Sequence, residues 1–160
     1  MLTSRRDYLL RLFDEAIQLL ARVIFQRSKG RLQDALQSVV QACERLFDME
    51  GEQLFQFTPE QQYAMLTENE PPEAARDKAL LYAALNAEAG RIYTEMGNLP
   101  MARGSFLNAL RFTLKAQLSF GADNPPDYAP RIPELLNALK DAPLDADTAE
   151  LLRAAPTTSH

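Results

Sequence analysis

The sequence predicts an all-α protein. Three observations carry this expectation. Apolar residues recur at three- and four-residue intervals along most of the chain, the spacing of one helix face. No run of alternating β-branched residues reads as a strand. Caps, glycines and prolines fall where helices of ordinary length should start and stop. Read together, they give six or seven helices in a single domain over residues 1–155, followed by a disordered tail at 156–160.

The first helix should begin at Ser4, where Ser4-x-x-Asp7 approximates a capping box, and run to about Ser28 before Gly30. Its apolar set, from Leu9, Leu10, Leu12 and Phe13 through Ile17, Leu19 and Leu20 to Val23, Ile24 and Phe25, is wider than one stripe. Such a helix is expected to be covered on two sides, either centrally in the fold or in an oligomer. A second helix spans about Leu32 to Asp48. Glu50 to Phe57 reads as a connector anchored by Phe55 and Phe57. Thr58, Pro59 and Gln61 then open a short helix. After an acidic loop at Glu68 to Pro71, an alanine-rich helix runs from about Pro72 to Met96. Gly97-Asn98 ends it, and another helix follows from about Leu99 to Phe120. Pro125-Pro126 marks a loop. Short helices near Pro130–Lys140 and Asp145–Ala154 complete the set, with Asp147 and Glu150 as a capping pair for the last.

Of the 160 residues, 46% are apolar and 24% charged, an ordinary globular composition whose core buries roughly two-thirds of the unfolded surface. The net charge of −5 argues against nucleic acid as partner. That charge is unevenly spread. Residues 1–31 hold seven Lys/Arg against three Asp/Glu, a net of +4, and the remainder ten against nineteen, a net of −9. Basic and acidic parts of this kind attract each other within a fold or across a dimer. Arg11, Asp14, Glu15 and Arg22 interrupt the apolar N-terminal stretch, so neither a secretory signal nor a transmembrane span is expected, and no stable membrane association. Cys43 is the sole cysteine, which fits a reducing cytoplasm.

Residues 86–114 carry Gly90, Tyr93, Gly97, Ala102, Phe106, Ala109 and Leu110. Gly90 and Ala102 lack bulk and let two antiparallel helices approach. Gly97 suits a turn with positive φ, and Tyr93 and Phe106 fill the seam. At these spacings the stretch resembles a tetratricopeptide repeat. Sixty-seven residues earlier a weaker copy keeps Gly30, Leu32, Ala35, Val39, Ala42 and Cys43, but Val23 stands where Gly90 does. The resemblance implies tetratricopeptide-like antiparallel hairpins stacked as a short α-solenoid or bundle, the terminal helices capping the exposed edge. The opening Asp7-Tyr8-Leu9-x-Arg11 is also similar to a family of small bacterial proteins, which implies the same fold and no known activity.

Catalytic chemistry finds little material. His160 is the only histidine, so a triad or a histidine zinc site is not expected, nor any cofactor. Cys43 falls on an apolar helix face, a place for a core thiol rather than a nucleophile. Glu68, Glu70 and Glu73 read as a solvated loop and helix start, where acids suit the helix dipole, and Asp123 and Asp127 fall in a proline-rich loop without regular ligand spacing. Tyr63, Tyr82 and Tyr128 are the residues that would line a helical pocket, if there is one. The expected function is non-catalytic: an adaptor or scaffold that binds a protein or peptide. The tetratricopeptide resemblance implies a peptide groove at Ala84, Ala87, Arg91, Thr94 and Glu95, with Ile17, Leu20, Ile24 and Arg27 from the weaker copy. Arg91 and Arg27 would meet a carboxylate, and Arg91→Glu would weaken binding without lowering stability. The Lys and Asn pattern by which such repeats clamp chaperone C-termini is absent. The alternative is a self-assembling homodimer through residues 8–25, using Leu9, Leu12, Phe13 and Leu20.

Overall fold

The computed structural model describes residues 4–141 and 143–155, so the predicted tail at 156–160 lies outside the described residues. The described residues form α-helices and no strand. There are eight helices among them: α1 (Arg5–Ser28), α2 (Leu32–Phe47), α3 (Gly51–Leu54), α4 (Pro59–Thr67), α5 (Pro72–Glu95), α6 (Leu99–Phe120), α7 (Ile132–Ala138) and α8 (Ala146–Ala154). None is long and apolar enough to cross a membrane. The count exceeds the predicted six or seven because Gly51–Leu54, read as connector, closes one helical turn. Its Gly51 amide donates to Glu44 at 2.8 Å, and Leu54 is fully buried. Leu54, not Phe55 or Phe57, is the anchor; both phenylalanines stay exposed.

Two pairs of consecutive helices turn on the same motif. Gly30 and Gly97 adopt φ of +74° and +79°. In each turn the residue after the glycine donates its amide back into the helix, Arg31 to the Gln26 carbonyl and Asn98 to that of Tyr93, both at 2.9 Å. The glycine amides bond Arg27 and Thr94 in the same way. These are the paired C-terminal bonds that need a left-handed residue just past a helix. α6 then starts on Asn98, whose side chain accepts from the Met101 amide, with Pro100 in the first turn.

α5 is the central helix. Thirteen of its residues are buried, alanines and Gly90 on several faces, so neighbours pack around most of it. Its small side chains let α1, α2, α4 and α6 approach, and Phe47, Tyr82, Phe112 and Tyr63 form a run of edge-on aromatic contacts across the core. α1 is not covered on two sides within this chain. It buries Leu12, Ala16, Leu20 and Val23 as one stripe, while Leu10, Ile24 and Phe25 are 51%, 45% and 56% exposed. Leu12 and Leu20 therefore belong to the chain's own core and not to a surface open to a second copy.

Caps settle the remaining boundaries. Ser4 accepts from the Asp7 amide, and Thr58 and Gln61 form a reciprocal capping box. α8 is capped by Asp145, which accepts from Thr148, and not by the Asp147–Glu150 pair expected from the sequence. Hydrogen bonds from Thr148, with Arg111 3.4 Å away on α6, hold the Asp145 carboxyl below the usual carboxylate range.

Candidate functional site

The C-terminal halves of α1 and α5 leave a concavity of about 280 Å³ between them. Its floor is apolar because small residues on α5, Ala84 and Ala87, face Leu20 and Ile24 of α1. Those four positions recur at helical spacing, which is why the sequence can bring them together. Ala84, Ala87 and Leu20 are buried, and Ile24 stands at the mouth. The chain from Asp127 to Arg131 crosses one side of the opening. The Tyr128 hydroxyl holds it to α5 by donating to the Asp77 carbonyl at 2.9 Å, and Arg76 holds the loop before it by donating to the Asp123 carbonyl at 3.0 Å. Burial raises the Tyr128 hydroxyl well above its ordinary pKa, so at neutral pH it stays a donor.

One wall is ionic. Glu88 is 3% exposed and lies between two arginines. Arg27 of α1 approaches it at 3.1 Å, and Arg91, one turn further along α5, makes a close pair with it. The chain of charges continues at 3.8 Å in both directions, from Arg27 to Glu95 and from Arg91 to Glu134 of α7. A carboxylate this deep needs paired cations to offset lost hydration, and the pairing ties α1, α5 and α7 together.

The sequence-derived groove residues divide accordingly. Ile24, Ala84, Ala87 and Arg91 line the concavity, and Leu20 joins them. Arg27 and Glu95 are paired with each other beside it. Thr94 donates its hydroxyl to the Gly90 carbonyl on the exposed face, and Ile17 packs against the core. Both arginines expected to meet a carboxylate meet Glu88. Arg91→Glu would set a carboxylate against Glu88 and Glu134, so it is now expected to lower the melting temperature and does not isolate a binding surface. Sequence reasoning missed Glu88 itself, although its i,i+3 spacing to Arg91 on one helix face was a usable signal. It also missed the covering segment at 127–131, since a proline-rich loop carries no periodicity that says where it lies.

The three tyrosines do not share a pocket. Tyr128 lines the α1–α5 concavity, Tyr82 donates to buried Gln62, and Tyr63 packs edge-on against Phe112 under the Lys115 ammonium. Cys43 is buried on α2, and burial pushes its thiol up to about 12. Among the described residues no three His, Cys, Asp or Glu side chains gather as a metal site. A second groove of about 640 Å³ runs between α2, α5 and α6, with exposed Phe57 and Met101 at its edges. Comparison with known proteins finds no matching family model, no matching curated protein and no matching solved structure.

Proposed function

We propose that the chain is a non-catalytic, tetratricopeptide-like helical scaffold of the cytoplasm that binds an extended segment of a protein partner along the α1–α5 face. The observation that carries this reading is the apolar-floored concavity between Ile24, Ala84 and Ala87, bordered by the chain's own irregular Asp127–Arg131 segment. A surface that already packs one irregular stretch of backbone beside an apolar depression suits a second segment of chain. Support for the repeat-like arrangement comes from the two glycine turns sixty-seven residues apart and from the close approach of α5 and α6 at Gly90. The ligand that fits has a medium apolar side chain for the depression. Its backbone or polar groups meet Arg131, Asp127 and Glu134 at the rim. A surface of mixed sign on a chain of net charge −5 favours protein over polyanions.

The test uses Ile24→Arg, because Ile24 is 45% exposed and its replacement spares the core. Proteins retained from native lysate by the parent and by Ile24→Arg are compared quantitatively, alongside their melting temperatures. The expected outcome is a partner retained by the parent and lost by the variant at unchanged stability. Identical retention by two equally stable proteins would remove this face from consideration.

A further inference from the structure

The geometry points to a second binding face at the opposite end of α1, built to take a second copy of this chain. Here lies a groove of about 910 Å³, far larger than the α1–α5 depression. Buried Leu46 and Leu66 and half-buried Phe13 and Phe47 form its floor. Leu10 and Met65 stand 51% and 38% exposed beside them. The apolar floor and the two exposed side chains beside it form one continuous face.

The charges along its two sides select the occupant. The α1 side carries Arg5 and Arg6, and the α4–α5 side carries Glu68 and Glu73. The other rim charges are already engaged: Lys78 with Glu70 at 2.7 Å, Asp77 with Arg76 at 3.2 Å, and Asp48 with the Tyr8 hydroxyl at 3.1 Å. Asp7 sits at the start of α1, where its carboxylate suits the helix dipole. Among the described residues, Arg5, Arg6, Glu68 and Glu73 make no ion pair. A partner of single sign would match one side and oppose the other. A second copy related by a two-fold axis through the groove meets both sides at once, its Arg5 and Arg6 against Glu68 and Glu73 and the reverse. The same asymmetry runs through the whole chain, net +4 in residues 1–31 and −9 beyond. Leu10 and Leu9 of each copy would then enter the apolar floor of the other. This interface uses the exposed start of α1 and leaves Leu12 and Leu20 in the core of each protomer.

Analytical ultracentrifugation of the full chain over a wide concentration range tests the assignment. A reversible dimer is expected, weakened by salt because exposed charge pairs are screened. Leu10→Glu should raise its dissociation constant at least about tenfold, with an unchanged helical circular dichroism spectrum. Arg5→Glu/Arg6→Glu should also dissociate it, and adding Glu68→Arg/Glu73→Arg to that variant should restore it. A parent that remains monomeric at every concentration overturns the proposal. So does a dimer indifferent to Leu10→Glu, or one that the fourfold charge exchange does not rescue. None of these substitutions touches the Ile24 face, so failure here is distinguishable from failure of the peptide-binding reading.

Discussion

Between α5 and α6 the ring of Phe106 lies directly on Gly90. A Cβ added to that glycine would stand 2.8 Å from three ring atoms. Between α1 and α2 the matching places hold Val23 and Val39, both buried. The turns that precede α2 and α6 are alike to within a few degrees of φ, and Ala35 and Ala42 are buried as their counterparts Ala102 and Ala109 are. The two hairpins thus share a turn and a small-residue seam, but they divide the bulk across that seam differently. One uses nothing and a ring, the other two medium side chains. Interiors pack to a fixed density, so total volume at a contact is constrained more tightly than its division between partners. This is why the residue pattern shared by the two helix pairs parts at Val23 and Val39, although the geometry of the turn is the same.

The largest effect should come from forcing the second hairpin to use the first one's residues one at a time. Gly90→Val drives two methyls into the Phe106 ring and should cost about 2–3 kcal/mol, lowering the melting temperature by roughly 5–10 °C. Phe106→Val alone leaves a void and should cost about 2–3 kcal/mol. Together they recreate the Val–Val arrangement, so the double variant should lose at least about 1 kcal/mol less than the sum of the singles. Denaturant unfolding of the four proteins measures the coupling. Additive losses would mean that the division of bulk is not interchangeable, and the likeness of the hairpins would reduce to their turns.

That contrast also marks what the sequence could disclose. Gly97, Gly30 and Thr58 announce their roles because local backbone geometry and a single hydrogen bond decide them, and both are readable from residue type and spacing. Ala84, Ala87, Leu20 and Ile24, named as groove positions through the tetratricopeptide resemblance, share the α1–α5 depression because helical period puts each pair on one helix face. Arg27 and Arg91 were legible as residues but not as free cations, since pairing with Glu88 depends on how α1 crosses α5. The exposure of Leu10, Ile24 and Phe25 was hidden for the same tertiary reason. A broad apolar face predicts that something should cover it, and only the packing shows that α5, not α1, occupies the middle. Where Tyr128 and its loop would settle was set by single bonds to Asp77 and Arg76, which no pattern encodes.

A smaller effect sharpens the comparison at the turns. No atom lies within 4 Å of a Cβ built on Gly30 or Gly97, so alanine at either meets only the backbone cost of a left-handed residue. That cost is about 1–2 kcal/mol. Gly30→Ala and Gly97→Ala should therefore destabilise equally, to within a few tenths of a kcal/mol, when measured by urea unfolding. A difference of more than about 1 kcal/mol would show that one turn carries strain the other lacks, despite their common bonding.

The smallest effect separates the hairpins by chemistry at one matched position, where α2 has Cys43 and α6 has Leu110, both buried. Burial, with a minor contribution from Glu44, raises the Cys43 thiol from 9.0 to about 12. Below about pH 8 the thiol is almost wholly neutral, folded or unfolded, and it contributes almost no pH dependence. Above that, the unfolded chain releases the proton while the folded chain retains it, so stability falls as pH rises from about 8 toward 12. Between pH 8 and 9.5 the loss should be just under about 1 kcal/mol. Tyr63, Tyr82 and Tyr128 are raised as well and bend the alkaline limb in the same direction. The informative quantity is therefore the difference in slope between the parent and Cys43→Ala, which retains all three tyrosines. A shallower alkaline slope in Cys43→Ala attributes the difference to the thiol. Parallel slopes would mean that solvent reaches position 43 in the folded chain, and that the first hairpin, with its two valines, closes less tightly than the ring-on-glycine seam of the second.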